Sequence, residues 1–191
     1  MSDIKAKVHV ENVVASATLQ QNLDLHSVVK AFPHVEYRPE QFPGATFRLT
    51  RPKTATLIFN SGKMVCTGAK SSRQARKAIR KVVRELKGNG IIIVRRPKIT
   101  VQNIVTSADL GGCVDLEKAL YSLDRTLYES EQFPGLIYRK RNPKAVLLFF
   151  ASGKLVCTGA KKEHDVFASI IKVSDQLEQD HLIFYSNESQ K

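Results

Sequence analysis

Acidic residues are scarce in this chain. Only 18 Asp and Glu stand against 30 Lys and Arg, so 191 residues carry a formal charge of +12. A surplus of that size points to a polyanionic partner, nucleic acid first, against the plainer reading of charge that only maintains solubility. Cysteine is nearly as scarce. Cys66, Cys113 and Cys157 have no Cys-x-x-Cys spacing, which excludes a zinc knuckle or a disulfide framework. Cys66 and Cys157, repeat equivalents each in its own half, are expected to be reduced core residues of a cytosolic or nuclear protein. Cys66 and Cys157 fall on strand-like segments without a neighbouring base, which argues against a nucleophile. His9, His26, His34, His164 and His181 are dispersed and form no metal-ligand spacing. No apolar run is long enough to span a bilayer, and the N-terminus has no signal-peptide character. A phosphate-binding loop is absent too: in Gly68-Ala69-Lys70-Ser71 the Gly-Lys pair is broken by Ala69, and the segment reads as strand. Glu40 and Glu131 recur, but in turns. With no catalytic residue set, metal or cofactor indicated, the chain is expected not to be an enzyme.

What the chain has is repetition. Glu40-Gln41-Phe42-Pro43-Gly44 returns as Glu131-Gln132-Phe133-Pro134-Gly135, and Ser61-Gly62-Lys63 through Lys70 returns as Ser152-Gly153-Lys154 through Lys161. Val10, Asn12, Val14, Ser16 and Ala17 return as Val101, Asn103, Val105, Ser107 and Ala108. Each pair is 91 positions apart, so nothing is inserted or deleted between the landmarks. Two long copies predict a pseudo-twofold domain rather than a stacked solenoid, which needs several shorter repeats. Residues 1–95 are expected to form the first repeat and residues 96–191 the second. A ligand for such a chain is itself roughly twofold and long enough to touch both halves, which excludes most small molecules.

Each repeat reads as strand, helix, several strands, helix, strand. Val8 to Ala15 is a short β-branched run, followed by a helix from about Asp24 to Phe32 with Asp24 as N-cap and Pro33 closing it. Three strand-like runs lie between Thr46 and Ala69, divided at Arg51-Pro52-Lys53 and at Asn60-Ser61-Gly62. From Ser72 the period becomes helical, with Ala75, Ala78, Ile79, Val82, Val83 and Leu86 on one face. Gly88-Asn89-Gly90 stops that helix, and Ile91 to Val94 is expected to be a last buried strand. Arg95-Arg96-Pro97-Lys98 joins the copies.

The hairpin carries the decisive pattern. It places Leu57, Phe59, Val65 and Thr67 on one face and Ile58, Met64 and Cys66 on the other. The second copy repeats this with Leu148, Phe150, Val156 and Thr158 against Phe149, Leu155 and Cys157. Both faces are apolar, yet two helices per copy cover only one. The uncovered face is either a binding surface or the inside of a sandwich of the two halves. Lys63 and Lys154 rim it with positive charge and favour binding.

Asn-x-Val in the first strand, Gln-Phe-Pro-Gly before the second, and Phe-x-Ser-Gly-Lys-x-Val-x-Thr-Gly-Ala-Lys across the hairpin resemble the TATA-box-binding protein family. The last string is Phe59 to Lys70 and again Phe150 to Lys161, and the likeness covers nearly the whole chain. The resemblance implies an α+β saddle: two tandem repeats sharing one curved antiparallel sheet, with helices on the convex face. It also implies binding and bending of A·T-rich promoter DNA through the minor groove, which nucleates the transcription preinitiation complex. By the same resemblance, Phe42 with Phe59 and Phe133 with Phe150 are wedges between base steps. Asn12, Asn103, Thr67 and Thr158 donate to base acceptors. Val14, Leu57, Val65, Val105, Leu148 and Val156 pack on the groove floor, where a guanine amino group would be buried without an acceptor. Arg48, Arg139, Lys63, Lys154, Lys70 and Lys161 match positions that reach phosphates, with Lys53 and Lys144 as further candidates. Glu129 and Glu131 match acidic residues that meet the cyclin-fold initiation factor, transcription factor B, and through it RNA polymerase. No membrane partner is expected, and the apolar face is a surface on which free copies could self-associate.

Gln-Phe-Pro-Gly in the first copy, and a chain that opens almost directly on its first repeat, resemble archaeal members, which would place the protein in the nucleoid. The tail from Ser186 to Lys191 lacks the acidic run of many archaeal members, and +12 is high for them. A trimmed eukaryotic chain would instead be nuclear. The basic segment Arg73, Arg76, Lys77, Arg80, Lys81 and Arg84 has His164, Phe167, Ala168, Ile171, Lys172 and Asp175 in its place in the second copy. Two rival readings differ in class. One is a duplicated module that stacks single-stranded or structured RNA or DNA on exposed aromatics. The other is the saddle-like half of a nucleic-acid enzyme, which requires a catalytic domain that 191 residues leave no room for.

Overall fold

The computed structural model describes residues 6–185; the tail from Ser186 to Lys191 lies outside the described residues. The first copy runs β1 (Lys7–Thr18), α1 (Leu25–Ala31), β2 (Gly44–Thr50), β3 (Lys53–Phe59), β4 (Lys63–Ala69) and α2 (Ser72–Gly88). The second runs β5 (Lys98–Asp109), β6 (Cys113–Val114), α3 (Leu116–Ser122), β7 (Thr126–Leu127) and β8 (Gly135–Lys140). It continues through β9 (Ala145–Phe150), β10 (Lys154–Ala160), α4 (Glu163–Gln179) and β11 (Ile183–Phe184). The expected α+β class of two tandem repeats, antiparallel sheet and four helices is what forms. Among the described residues two compact units result: Glu11–Asn103, and residues 104–185 together with residues 6–10.

In the first unit the strand order is β2-β3-β4-β1, every neighbour antiparallel. Strand β1 alternates, burying Val13, Ala15 and Ala17 while Asn12, Val14 and Ser16 stay partly exposed. It outruns the predicted strand by three residues at its C-terminal end, because Ala17 and Thr18 still pair with Met64 and Lys63. Asp24 caps α1 as expected, its Oδ1 accepting the His26 N–H at 3.0 Å. Ser71 caps α2, accepting the Gln74 N–H at 3.1 Å. The six apolar positions predicted for α2 are the six it buries, against β4, β3 and β2. Ile58, Met64 and Cys66 meet the helix and are fully buried. Each large apolar side chain sequestered there contributes about 1.5–3 kcal/mol. The opposite face, with Leu57, Phe59 and Val65, stays partly exposed.

The second unit has the order β7-β8-β9-β10-β5. Helix α4 packs on β10 and β9, over Phe149, Leu155 and Cys157. Leu148, Phe150 and Val156 are again partly exposed on the other side. The turns that place these hairpins are alike. Gly62 and Gly153 have φ of +71° and +78°, and a Cβ there would lie 2.0 Å from the Gln21 carbonyl oxygen or 1.8 Å from that of Gly112. Only glycine tolerates both the backbone angle and the approach. Their carbonyls accept the N–H groups of Leu19 and Leu110, each at 3.0 Å, which ties each turn to the loop after the unit's long strand.

One predicted element is absent. Ile91 to Val94 is not a strand, and Ile92 and Val94 are 81% and 80% exposed; only Ile93 is buried. The side-chain amide of Gln21 takes the place of a strand, donating to Ile92 O at 2.8 Å and accepting from Val94 N at 3.0 Å. Its repeat mate is Gly112, which has no such group. There the corresponding segment pairs through backbone instead, Ile183 with Val114 and Phe184 with Cys113. These two-residue strands and β7 are too short for a periodic pattern to announce.

Candidate nucleic-acid interface

Each unit presents one aromatic pair beside its exposed apolar strand face. Phe42 and Phe59 meet edge-on with ring centroids 5.8 Å apart, and Phe133 and Phe150 do so at 5.9 Å. Phe42 and Phe133 are 40% and 38% exposed, which is high for side chains of that size. Both sit in a turn whose N–H bonds run back to Arg38 O and Glu129 O at 2.9 Å. The seat beneath each pair is a glycine. A Cβ on Gly44 would stand 2.7 Å from Phe42 and 3.0 Å from Phe59; on Gly135 it would stand 2.7 Å from Phe133 and 3.1 Å from Phe150. Gly44 and Gly135 therefore belong to the site, a role that the recurrence of Gln-Phe-Pro-Gly signals but cannot explain.

Asn12 and Thr67 are brought together by a bulge. Pairing of β1 with β4 shifts by one residue between Val13↔Ala69 and Ala15↔Cys66, which frees Gly68 from the ladder. Its N–H donates to Asn12 Oδ1 at 2.8 Å, and Asn12 Nδ2 donates to Thr67 Oγ1 at 3.1 Å. With Oδ1 engaged by backbone, the amide is oriented so that its NH2 is the donor on the side of Thr67. That NH2 carries two hydrogens, one more than Thr67 takes. The same shift recurs between Cys157↔Thr106 and Ala160↔Ile104, around Thr158 and Gly159. Asn103 and Thr158 are half-buried like their counterparts, as are Val14, Val105, Leu57, Val65, Leu148 and Val156.

The candidate phosphate-reaching cations are all exposed: Arg48, Lys63, Lys70, Arg139, Lys154 and Lys161. Lys70 holds the carboxylate of Glu11 at 3.0 Å, and Arg48 that of Glu36 at 3.3 Å. Such solvent-exposed pairs are worth at most about 1 kcal/mol, little enough for a phosphate to replace the partner. Of the basic helix, Arg76 Nη1 donates to Ile99 O at 3.1 Å and Lys81 Nζ to Arg51 O at 2.9 Å, so these two serve the fold. Glu129 and Glu131 are exposed around the Phe133 turn. Arg38 stands where Glu129 stands in the other copy, so the two turns differ in charge.

Cys66 and Cys157 are wholly buried, and burial raises both thiols, Cys157 to about 11. Neither forms a thiolate near neutrality. Among the described residues, no cluster of His, Cys, Asp and Glu could hold a metal ion, and no helix is long and apolar enough to cross a membrane.

These features have close relatives. The family model described as "Transcription factor TFIID (or TATA-binding protein, TBP)" matches twice, over residues 7–88 and 98–179. The TATA-box-binding protein of Sulfurisphaera tokodaii is 52% identical over 173 residues, spanning 91% of this chain and 87% of the relative. That of Pyrodictium occultum is 51% identical over 175 residues, spanning 92% and 88%. The solved structure of Methanococcus jannaschii TBP superposes with a TM-score of 0.82 at 46% identity, covering 91% of this chain and 99% of that one. These archaeal relatives are named for binding the TATA box, and the family model is that of a transcription factor. Two matches of the family model, and half-identical relatives over nine-tenths of the length, place this chain in the TATA-box-binding protein family.

Proposed function

We propose that this chain binds A·T-rich promoter DNA through the minor groove, bends it with its two Phe pairs, and so nucleates the transcription preinitiation complex. The observation that carries the reading is the recurring Phe–Phe contact, in each unit with one ring exposed, seated on a glycine beside a partly exposed apolar strand face. An apolar face suits a groove that offers only acceptors at A·T pairs, and it penalises the guanine amino group. Asn12, Thr67, Asn103 and Thr158 supply donors, and Val14, Leu57, Val65, Val105, Leu148 and Val156 the packing. Arg48, Lys63, Lys70, Arg139, Lys154 and Lys161 hold phosphates. Pyrimidine–purine steps unstack most cheaply, so the bend itself contributes specificity. Residues 1–95 and 96–191 act as the two repeats, and in an archaeal cell the protein works in the nucleoid. Glu129 and Glu131 recruit a transcription factor B-type protein and through it RNA polymerase. Arg38 in the place of Glu129 accounts for recruitment by one repeat only.

The test is a bend assay by fluorescence energy transfer between dyes at the ends of a TATA duplex, with a G·C-substituted control. Wild type is expected to bend the TATA duplex alone, and Phe59→Ala/Phe150→Ala to lose the bend. Equal binding to both duplexes, or preference for single strands or RNA in competition, would overturn the reading. In the same assay, Glu129→Arg/Glu131→Arg should bend DNA normally and fail to retain the initiation factor. Retention would remove those two residues from the proposal.

A further inference from the structure

Beside each aromatic pair the strand face holds a cleft, of about 640 Å³ at Phe150 and about 660 Å³ at Phe59. The lining positions of the two correspond one for one at the 91-residue displacement. Lys154 and Lys7 in one answer to Lys63 and Lys98 in the other, so each cleft is rimmed by two ammonium groups. Lys7 and Lys98 come from the starts of the long strands and extend the cationic rim past the residues already assigned.

The correspondence breaks at three places. Leu155 for Met64 changes nothing polar. His9 stands for Thr100, and Asp109 stands for Thr18. Asp109 lies directly opposite Lys154 in the β5–β10 ladder, as Thr18 lies opposite Lys63 in the β1–β4 ladder. Its Oδ1 accepts the Gly111 N–H at 2.9 Å, so the carboxylate is held at the strand end. A carboxylate beside one ammonium pair offsets about one unit of its positive field; the Phe59 cleft has no such offset.

We infer, on the basis of the DNA-binding reading above, that the lysine rims of both clefts hold the phosphodiester backbone next to the wedges, and that their unequal charge orients the protein on a near-symmetric DNA element. The occupant follows from the rim: the clefts share Phe59, Phe150, Lys63 and Lys154 with the proposed minor-groove face, and their lysines complement phosphate. The more cationic cleft, with Lys63 and Lys98, takes the half with the narrower and more negative minor groove, an A-tract. The cleft with Asp109 takes the other half.

The exposed thiol of Cys113, in the second unit, provides the reporter. An acceptor dye on Cys113 and a donor at either end of a duplex that joins an A-tract half to an alternating T-A half reads the orientation populations. Wild type is expected to favour one orientation by several fold, with Cys113 toward the alternating half. Asp109→Thr should bring the two populations to within about twofold, and Thr18→Asp with Asp109→Thr should reverse the preference. Both variants copy the residue found at the equivalent place in the other repeat, which preserves the fold. Lys7→Ala and Lys98→Ala should each lower the salt dependence of binding by about one counterion. Populations unmoved by the Thr–Asp exchange, or salt slopes unmoved by both lysine variants, would overturn the inference. The bend readout on the same duplex separates the failures: bending with unmoved populations removes only the orientation device, whereas wild type that does not bend removes the DNA reading itself.

Discussion

A thiol at position 113 and thiols at positions 66 and 157 have the same chemistry and meet different surroundings. Cys113 is exposed, while Cys66 and Cys157 are closed in between sheet and helix, with Cys157 raised to about 11 by burial. Thiolate is the reacting form, so raising the pKa and closing off access act in the same direction. One equivalent of Ellman's reagent should react with folded protein at pH 8, and three after denaturation in guanidinium; rapid reaction of two or three in the folded state would contradict the burial described. At this scale the sequence was informative wherever a residue recurred. Repeat mates mark the four phenylalanines, Asn12 and Lys63 as candidates. Gly44 and Gly135 recurred just as plainly, but what demands glycine there is a phenyl ring that a Cβ would meet at 2.7 Å, and that approach exists only after folding. The hydrogen bond from Gly68 to Asn12 was hidden for a similar reason, since a bulge appears in register and not in composition.

Elements show how two nearly parallel sequences arrive at unequal solutions. Helices α2 and α4 occupy the same place in their repeats and have 17 residues each. Ser71 accepts the Gln74 N–H at the start of α2, whereas its mate Lys162 provides no side-chain bond to the start of α4. A lysine there also opposes the positive end of the helix dipole, which Glu163 and Asp165 in the first turn partly answer. Transferring the cap with Lys162→Ser should stabilise the protein by about 1 kcal/mol, and Ser71→Ala should cost about the same. In thermal unfolding that is a rise or fall of about 2–4 °C. A lower melting temperature for Lys162→Ser would show that α4 draws its stability from elsewhere. The helical period of α2 was readable because six buried positions repeat over 17 residues. Ile91 to Val94 misled because four apolar residues look the same whether or not a strand lies beside them. In the first copy the neighbour is a single glutamine amide, which no periodicity can indicate.

Over the whole molecule, +12 is the sum of charges with different tasks. Arg73, Lys77, Arg80, Arg84 and Lys87 line the exposed side of α2, a helix that packs on the face of the sheet opposite Leu57, Phe59 and Val65. Net charge alone would assign these residues to DNA as readily as Lys154, which rims the exposed strand face next to Phe150. Counterion release tells them apart, because only a cation that displaces a condensed ion changes the slope of log K against log salt. Lys154→Ala should weaken binding on every duplex by a similar factor and flatten that slope by about one. Arg80→Ala should lower the net charge equally and leave the slope where it was. Titrations of both variants from low to moderate salt, on a TATA duplex and on its G·C-substituted control, make the comparison. If Arg80→Ala flattened the slope as much as Lys154→Ala, the duplex would be held by the overall field and not by the strand face. A changed base preference for Lys154→Ala with an unchanged slope would instead assign that lysine to the bases.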